Sequence, residues 1–295
     1  SYRPGKRPAT GFARAFAFGI SRNLSMPELP EVETIARGLQ HNIVGKTIKR
    51  VVVGLPKMAV TATATDFSKT LRGDTVTLVD RRGKYAVLHL KSGRSLVTSL
   101  RMTGRLVVQP AGEKAHPYTK IALYFTDGTR LSFADVRQFG RMRLIGPGEP
   151  WDKALGPEPL SGDFTPKGFI GMLAGRRTPV KVVLLDQRRI AGIGNIYACE
   201  ALWEARIRPS TPANALSAPA GRRLHHAIVD VLTRAIEMRG TSVDDYVDSQ
   251  GLKGGFQNVL RVYGRAGRPC ERCGKPLIRT VLGQRGTWWC AKCQR

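Results

Sequence analysis

The chain has 295 residues, with 48 Lys and Arg against 22 Asp and Glu, a formal net charge of +26 and a pI near 10.7. That excess attracts polyanions through physiological salt and points to nucleic acid, since the basic residues recur along the chain with Gly and aromatics instead of forming one tail. The apolar runs fall well short of a bilayer span, and five cysteines without an apolar signal-peptide core argue against a secreted disulfide scaffold.

Residues 1–25 carry Arg3, Lys6, Arg7, Arg14 and Arg22, no acid, and a Phe12, Phe16, Phe18 pattern. The segment reads as an extension: a transit-like leader, an upstream start site, or a basic arm for DNA. Met26 opens a different composition, Pro27-Glu28-Leu29-Pro30-Glu31-Val32-Glu33. Val32, Ile35, Ala36 and Leu39 lie at helical spacing, and Pro30 with Glu31 and Glu33 suits a first turn, so a helix is expected at once. From Thr47 to Ile145 short alternating runs take over, at 85–90, 95–100, and 121–125 joined by Asp127-Gly128 to 129–133. These predict antiparallel strands of a sandwich or barrel. A Gly/Pro-rich join at 146–159 marks the domain boundary. Helices are expected at 169–173, 179–185, 197–204 and 219–239, the last with Leu224, Ile228, Val231, Leu232 and Ile236 on one face. A polar, Gly-rich stretch at 244–255 predicts a mobile loop.

The chain closes on Cys270, Cys273, Cys290 and Cys293, two Cys-x-x-Cys knuckles separated by sixteen residues. That is a zinc-ribbon spacing, in which each knuckle turns two thiolates toward one tetrahedral ion; a pair of disulfides is the alternative. Between the knuckles a hairpin is expected, 276–282 out, 283–286 turning and 287–289 back, with Arg285 projecting from the tip. Gly192, Gly194 and Asn195 precede a helix, where free N–H groups and an amide suit an anion. Cys199, beside Glu200, reads as a small packed residue more readily than as a reactive thiol.

Several dispersed motifs occur in one order: residues 26–34 (Met-Pro-Glu-Leu-Pro-Glu-Val-Glu-Thr), Arg82-Gly83-Lys84-Tyr85, Asp135-Val136-Arg137-Gln138-Phe139-Gly140, Leu155-Gly156-Pro157-Glu158-Pro159-Leu160, Gly192-Ile193-Gly194-Asn195-Ile196-Tyr197-Ala198 and the ribbon. In that order they resemble the formamidopyrimidine-DNA glycosylase family over residues 26–295. The resemblance implies an α+β fold: an N-terminal β-sandwich domain with an N-terminal helix (26–150), a helical C-terminal domain with a helix-two-turn-helix (151–262), and a zinc-ribbon β-hairpin (263–295) holding one structural Zn2+ on the four cysteines. Residues 1–25 lie outside it.

The activity implied is excision of oxidised purines from double-stranded DNA, followed by β,δ-elimination through a Schiff base, by a monomer of the bacterial cytoplasm, or of an organelle if the leader is a transit sequence. Pro27 resembles the family's nucleophile, Glu28 the acid that protonates the sugar ring oxygen, Lys84 the lysine of β-elimination and phosphate contact, and Arg285 the ribbon residue of δ-elimination. A terminal α-amine titrates near about 8, and a secondary amine leaves an iminium that keeps its charge. Met102, Arg137 and Phe139 resemble the set that fills the gap left by a flipped nucleotide, a step that costs a few kcal/mol. Arg177, Lys181 and Asn195 resemble phosphate contacts, and 251–255 the lid over the extruded base. Singly, each residue also has a structural reading, Pro27 as a helix-start proline and Lys84 as a solvated strand lysine.

Two features depart from the pattern. Where the family commonly has histidines before the strand near Ile121, this chain has Tyr118 and Lys120, with His116 slightly earlier, so DNA contact falls to Tyr118. While residues 1–26 precede it, the Pro27 nitrogen is a tertiary amide with no basic lone pair, so this form is expected to bind DNA without cleaving it. The rivals are an endonuclease VIII-like glycosylase for oxidised pyrimidines and a non-catalytic zinc-ribbon DNA binder.

Overall fold

A computed structural model describes residues 26–61, 67–242 and 252–295. Helix α1 (Leu29–Ile43) opens on a capping box: the Glu28 side chain accepts from the N3 backbone, and the Glu28 N–H donates to the Glu31 carboxylate at 2.8 Å. Val32, Ile35, Leu39 and Ile43 form its buried stripe. Each such side chain contributes about 1.5–3 kcal/mol by leaving water.

The strands follow as β1 (Ile48–Val53), β2 (Ala59–Thr61), β3 (Val76–Arg82), β4 (Tyr85–Leu90), β5 (Ser95–Ser99), β6 (Gly104–Pro110), β7 (Thr119–Phe125), β8 (Thr129–Asp135) and β9 (Arg141–Ile145), with a short helix α2 (Phe67–Leu71) after β2. They form a four-stranded sheet, β1-β7-β8-β6, and a five-stranded sheet, β2-β9-β5-β4-β3. Phe125, Phe133, Leu88, Leu96 and Met142 fill the core that α1 covers. The expectation of antiparallel pairing needs one correction: β2 runs parallel to β9. This three-residue strand joins the sheet edge, where no hairpin dictates its direction. Helix α2 did not emerge from the sequence, because five residues give too little periodicity.

In the second half, α3 (Pro166–Leu173), α4 (Val180–Leu185), α5 (Asn195–Glu204) and α6 (Ala218–Glu237) surround a separate core. The Ser217 hydroxyl caps α6, and Leu224, Ile228, Val231 and Leu232 are buried. Leu29 packs into this helical core, whereas Val32 and the rest of the α1 stripe pack into the sandwich. One helix therefore pins both halves together at its first turn, next to Pro27 and Glu28. Among the described residues no helix is long and apolar enough to cross a membrane.

The terminal hairpin, β10 (Ile278–Leu282) and β11 (Arg285–Trp289), packs Trp288 on Tyr263 with ring centroids 4.4 Å apart. Its turn is tighter than the 283–286 expected. Gly283 and Gln284 alone make it, at φ +55° and +61°, the mirror-image turn whose twist matches a hairpin. Arg285 accordingly opens the return strand, opposite Leu282.

Candidate active site and metal centre

Glu28 is buried, 2% exposed, at the foot of α1. Its carboxylate accepts from Gly194 N at 2.8 Å, Ile196 N at 2.9 Å and Tyr197 N at 3.4 Å, so it sits on the N-terminus of α5. The amides expected to face a phosphate thus hold the chain's own carboxylate. Close approach explains the glycines: a Cβ on Gly194 would lie 2.3 Å from Glu28 Cδ, and one on Gly192, at φ +87°, 2.7 Å from Leu29 Cδ1. Burial raises the Glu28 carboxyl above its usual range, while Lys84 and the three amides pull it back.

Behind it lies a second acid that sequence reasoning did not single out. Glu31 accepts from Glu28 N, from Thr241 N at 2.7 Å and from the Tyr197 hydroxyl. Burial and the neighbouring Glu28 push its carboxyl up to about 7. The signal was available: Glu31 falls on the same α1 stripe as Ile35 and Leu39, where an acid needs a partner.

Pro27, Glu28, Lys84, Asn195 and Arg285 line one cleft of about 370 Å³ between the halves of the molecule. Lys84 is the second residue of the β3–β4 turn, where burial lowers its ammonium pKa and Glu28 and Glu31 partly restore it. Arg285 is exposed and lines the same cleft. Pro27, a buried acid and two cations, from three separate parts of the chain, therefore face one space.

Of the predicted phosphate contacts, Asn195 lines the cleft and Lys181 is withdrawn from solvent. Lys181 is fully buried, and its Nζ donates to Asn195 Oδ1 at 2.7 Å, Thr287 Oγ1 at 2.7 Å and Gly286 O at 3.1 Å. Asn195 Nδ2 donates to the same Gly286 carbonyl at 3.0 Å. Both side chains hold the hairpin beside Arg285. Arg177 is exposed in the turn between α3 and α4.

Met102, Arg137 and Phe139 come together on the sandwich rim. Arg137 Nη1 lies 3.0 Å from Met102 Sδ, and its guanidinium 4.9 Å from the Phe139 ring centroid. Phe139 is 51% exposed, more than an aromatic ring with only a packing role needs. Buried Asp135 fixes the loop, accepting from Arg137 N at 3.1 Å and Gly140 N at 2.8 Å, while Gln138 turns it at φ +58°. Tyr118 is exposed, and its carbonyl accepts from Asp135 N at 3.0 Å. Residues 243–251, most of the predicted mobile loop and one end of the predicted lid, lie outside the described residues.

The sulfurs of Cys270, Cys273, Cys290 and Cys293 all lie within 4.8 Å of one another, with Cys273 to Cys290 at 3.5 Å and Cys270 to Cys293 at 4.0 Å. A tetrahedron of bonds of about 2.3 Å has edges of about 3.8 Å, so the group fits a single metal ion. Disulfide sulfurs would be about 2.05 Å apart.

These features define a class: basic, DNA-directed proteins in which a β-sandwich, a helical domain and a four-cysteine ribbon enclose one cleft. Family models match in the same order, the formamidopyrimidine-DNA glycosylase N-terminal domain over residues 26–142, its H2TH domain over 155–247, and the zinc finger found in FPG and IleRS over 267–295. A formamidopyrimidine-DNA glycosylase of Heliobacterium modesticaldum is 45% identical over 277 residues, 92% of this chain and all of the relative. A Lactococcus lactis FPG mutant in complex with Fapy-dG-containing DNA superposes with a TM-score of 0.85 at 36% identity, covering 91% of this chain and 100% of that one. Lactococcus lactis Fpg with abasic-site DNA gives 0.84 at 35%, covering 91% and 99%. The chain belongs to the formamidopyrimidine-DNA glycosylase family.

Proposed function

We propose that this chain is a bifunctional DNA glycosylase and abasic-site lyase that removes oxidised purines, 8-oxoguanine and formamidopyrimidines, from double-stranded DNA. The observation that carries the reading is the cleft itself, where Pro27 adjoins a buried Glu28 gripped by α5 and faces Lys84 and Arg285.

The chemistry begins once the Met26–Pro27 bond is hydrolysed and Pro27 presents a secondary amine. Its nitrogen attacks C1′ of the extruded nucleotide, the glycosidic bond breaks, and the base leaves with its electron pair and a proton. Glu28, whose raised pKa keeps a proton available closer to neutrality, protonates the ring oxygen as the sugar opens, giving an iminium. The iminium acidifies C2′. Loss of that proton, assisted by Lys84, expels the 3′ phosphate; a second elimination on the Arg285 side expels the 5′ phosphate; hydrolysis then frees Pro27. Met102 and Phe139 fill the vacated space, and Arg137 hydrogen-bonds the orphaned cytosine. Arg177 and Tyr118 contact the backbone from the exposed surface, and Lys181 and Asn195 serve the phosphates by holding the hairpin.

The four cysteines hold one structural Zn2+, which supplies rigidity beneath β10 and β11 and takes no part in the reaction. Residues 26–150, 151–262 and 263–295 are the working units, acting as a monomer in the bacterial cytoplasm. The reading is tested by single-turnover assays on duplexes with 8-oxoguanine opposite cytosine and with thymine glycol. Faster release of 8-oxoguanine supports it; preference for thymine glycol would place the chain with the endonuclease VIII-like enzymes.

A further inference from the structure

We propose that Glu158, in the segment joining the two halves, is a positioning residue for Lys84; the inference rests on the reading of Lys84 given above. Glu158 lies far from the cleft lining in sequence and does not reach the reacting atoms, yet it grips the turn that carries Lys84. Its Oε1 accepts from the Gly83 N–H at 2.5 Å and from Arg82 Nη1 at 3.0 Å, and its Oε2 accepts from Arg81 Nη1 at 2.6 Å. One carboxylate therefore holds three consecutive residues, the last of them bonded to Lys84.

The clasp extends on both sides. Arg81 Nε also donates to Glu33 of α1 at 2.9 Å, and Arg81 Nη1 to the Gly83 carbonyl at 3.1 Å. Arg82 Nε donates to Asp152 Oδ2 at 2.9 Å, and its Nη2 to the Gly156 carbonyl at 2.9 Å. Arg81 is 8% exposed and Glu158 18%, so solvent screens these pairs much less than it screens surface ion pairs. Gly83, at φ +58°, lets the turn form, and a Cβ there would lie 3.5 Å from Ala191 Cβ.

The backbone around Glu158 is tied in turn to the loop that holds Glu28. Ala191 N donates to Pro157 O at 3.0 Å, and Gly156 N to Gln187 O at 2.9 Å. The Gln187 side chain accepts from Gly192 N at 2.9 Å, Leu29 N donates to Gly192 O at 3.0 Å, and Gly194 N reaches Glu28. The β3–β4 turn and the first turn of α1 are thus referenced to one short stretch of the helical half. Glu158 sets where Lys84 stands relative to Pro27 and Glu28, and a group misplaced by about an ångström can lose most of its rate advantage.

The test is a double-mutant cycle in the chain starting at Pro27, which spans all but Met26 of the three family matches. Single-turnover excision and strand cleavage are measured for Glu158→Ala, Lys84→Ala and the double variant. The expected result is a loss of about tenfold for Glu158→Ala in whichever step Lys84→Ala impairs, with the double variant within about twofold of Lys84→Ala alone. Glu158→Gln, which keeps an acceptor for the Gly83 N–H, should recover part of the rate. Thermal melting and metal content report whether each variant is folded. Losses that multiply in the double variant would overturn the proposal and make Glu158 a general tie between the halves. If Lys84→Ala turns over at the wild-type rate, the reading of Lys84 has failed, and the proposal falls with it.

Discussion

Two buried glutamates meet α5, Glu28 at its N-terminus from α1 and Glu200 from within it, and they use the same device for different ends. Glu28 is 2% exposed and accepts from three backbone amides at the start of the helix; Glu200, 3% exposed, projects from the helix and accepts from Arg261, Val262 and Tyr263 N–H at 2.8, 3.0 and 2.8 Å. Burial raises both carboxyls, and amides lower both. What separates them is access. Glu28 borders a cleft with Pro27, Lys84 and Arg285, whereas Glu200 faces the chain that enters the ribbon. A buried, amide-capped acid is therefore not by itself a catalytic signature; a neighbouring space with cations around it makes it one.

That contrast breaks most sharply under substitution. Glu28→Gln keeps an acceptor for the α5 amides but removes the proton donor, so excision and strand cleavage should fall by about 10²- to 10⁴-fold with little change in melting temperature. Single-turnover kinetics beside a melting curve checks both halves of the statement. Glu200→Ala should do the reverse. It leaves three amides without their acceptor and should cost about 4 kcal/mol in denaturant unfolding, with near-normal activity per folded molecule. Equal losses of activity and stability in both variants would erase the distinction.

Glu31 sharpens the comparison by a smaller effect. Its carboxyl is raised from 4.5 to about 7, so the folded state binds its proton more tightly than the unfolded chain does. The stability it contributes is complete below pH 4.5 and is lost as pH rises through about 7. Glu31→Gln removes that dependence. The stability difference, variant minus wild type, should grow by up to about 3 kcal/mol between pH 4.5 and 8, measured by urea unfolding. A flat difference would mean that the bonds from Tyr197 and Thr241 fully offset burial, and a difference that shrinks with pH that they outweigh it.

Much of this was legible in the sequence, and the parts that were not share a cause. The stripes of α1 and α6, the β7–β8 turn at Asp127-Gly128 and the cysteine spacing are local patterns, and each leads to the element observed. Resemblance to the family, not local pattern, brought Met102, Arg137 and Phe139 forward as a group, and the structure gathers them on one rim. The roles of Lys181, Glu31 and Glu158 depend on partners far away in the chain. Lys181 meets Thr287 across 106 residues, Glu31 meets Thr241 across 210, and Glu158 meets Gly83 across 75. No periodicity encodes such pairings. The parallel β2–β9 edge was hidden for the same reason, since sheet edges are chosen by tertiary packing.

The central claim is that Pro27 becomes the nucleophile only when it is the first residue. The measurement that tests it most directly is intact mass of the protein made from its own gene, coupled to borohydride trapping on an 8-oxoguanine duplex. The account predicts a covalent adduct with protein that begins at Pro27 and none with protein that still carries residues 1–26. An adduct formed by protein with a verified intact leader would contradict it.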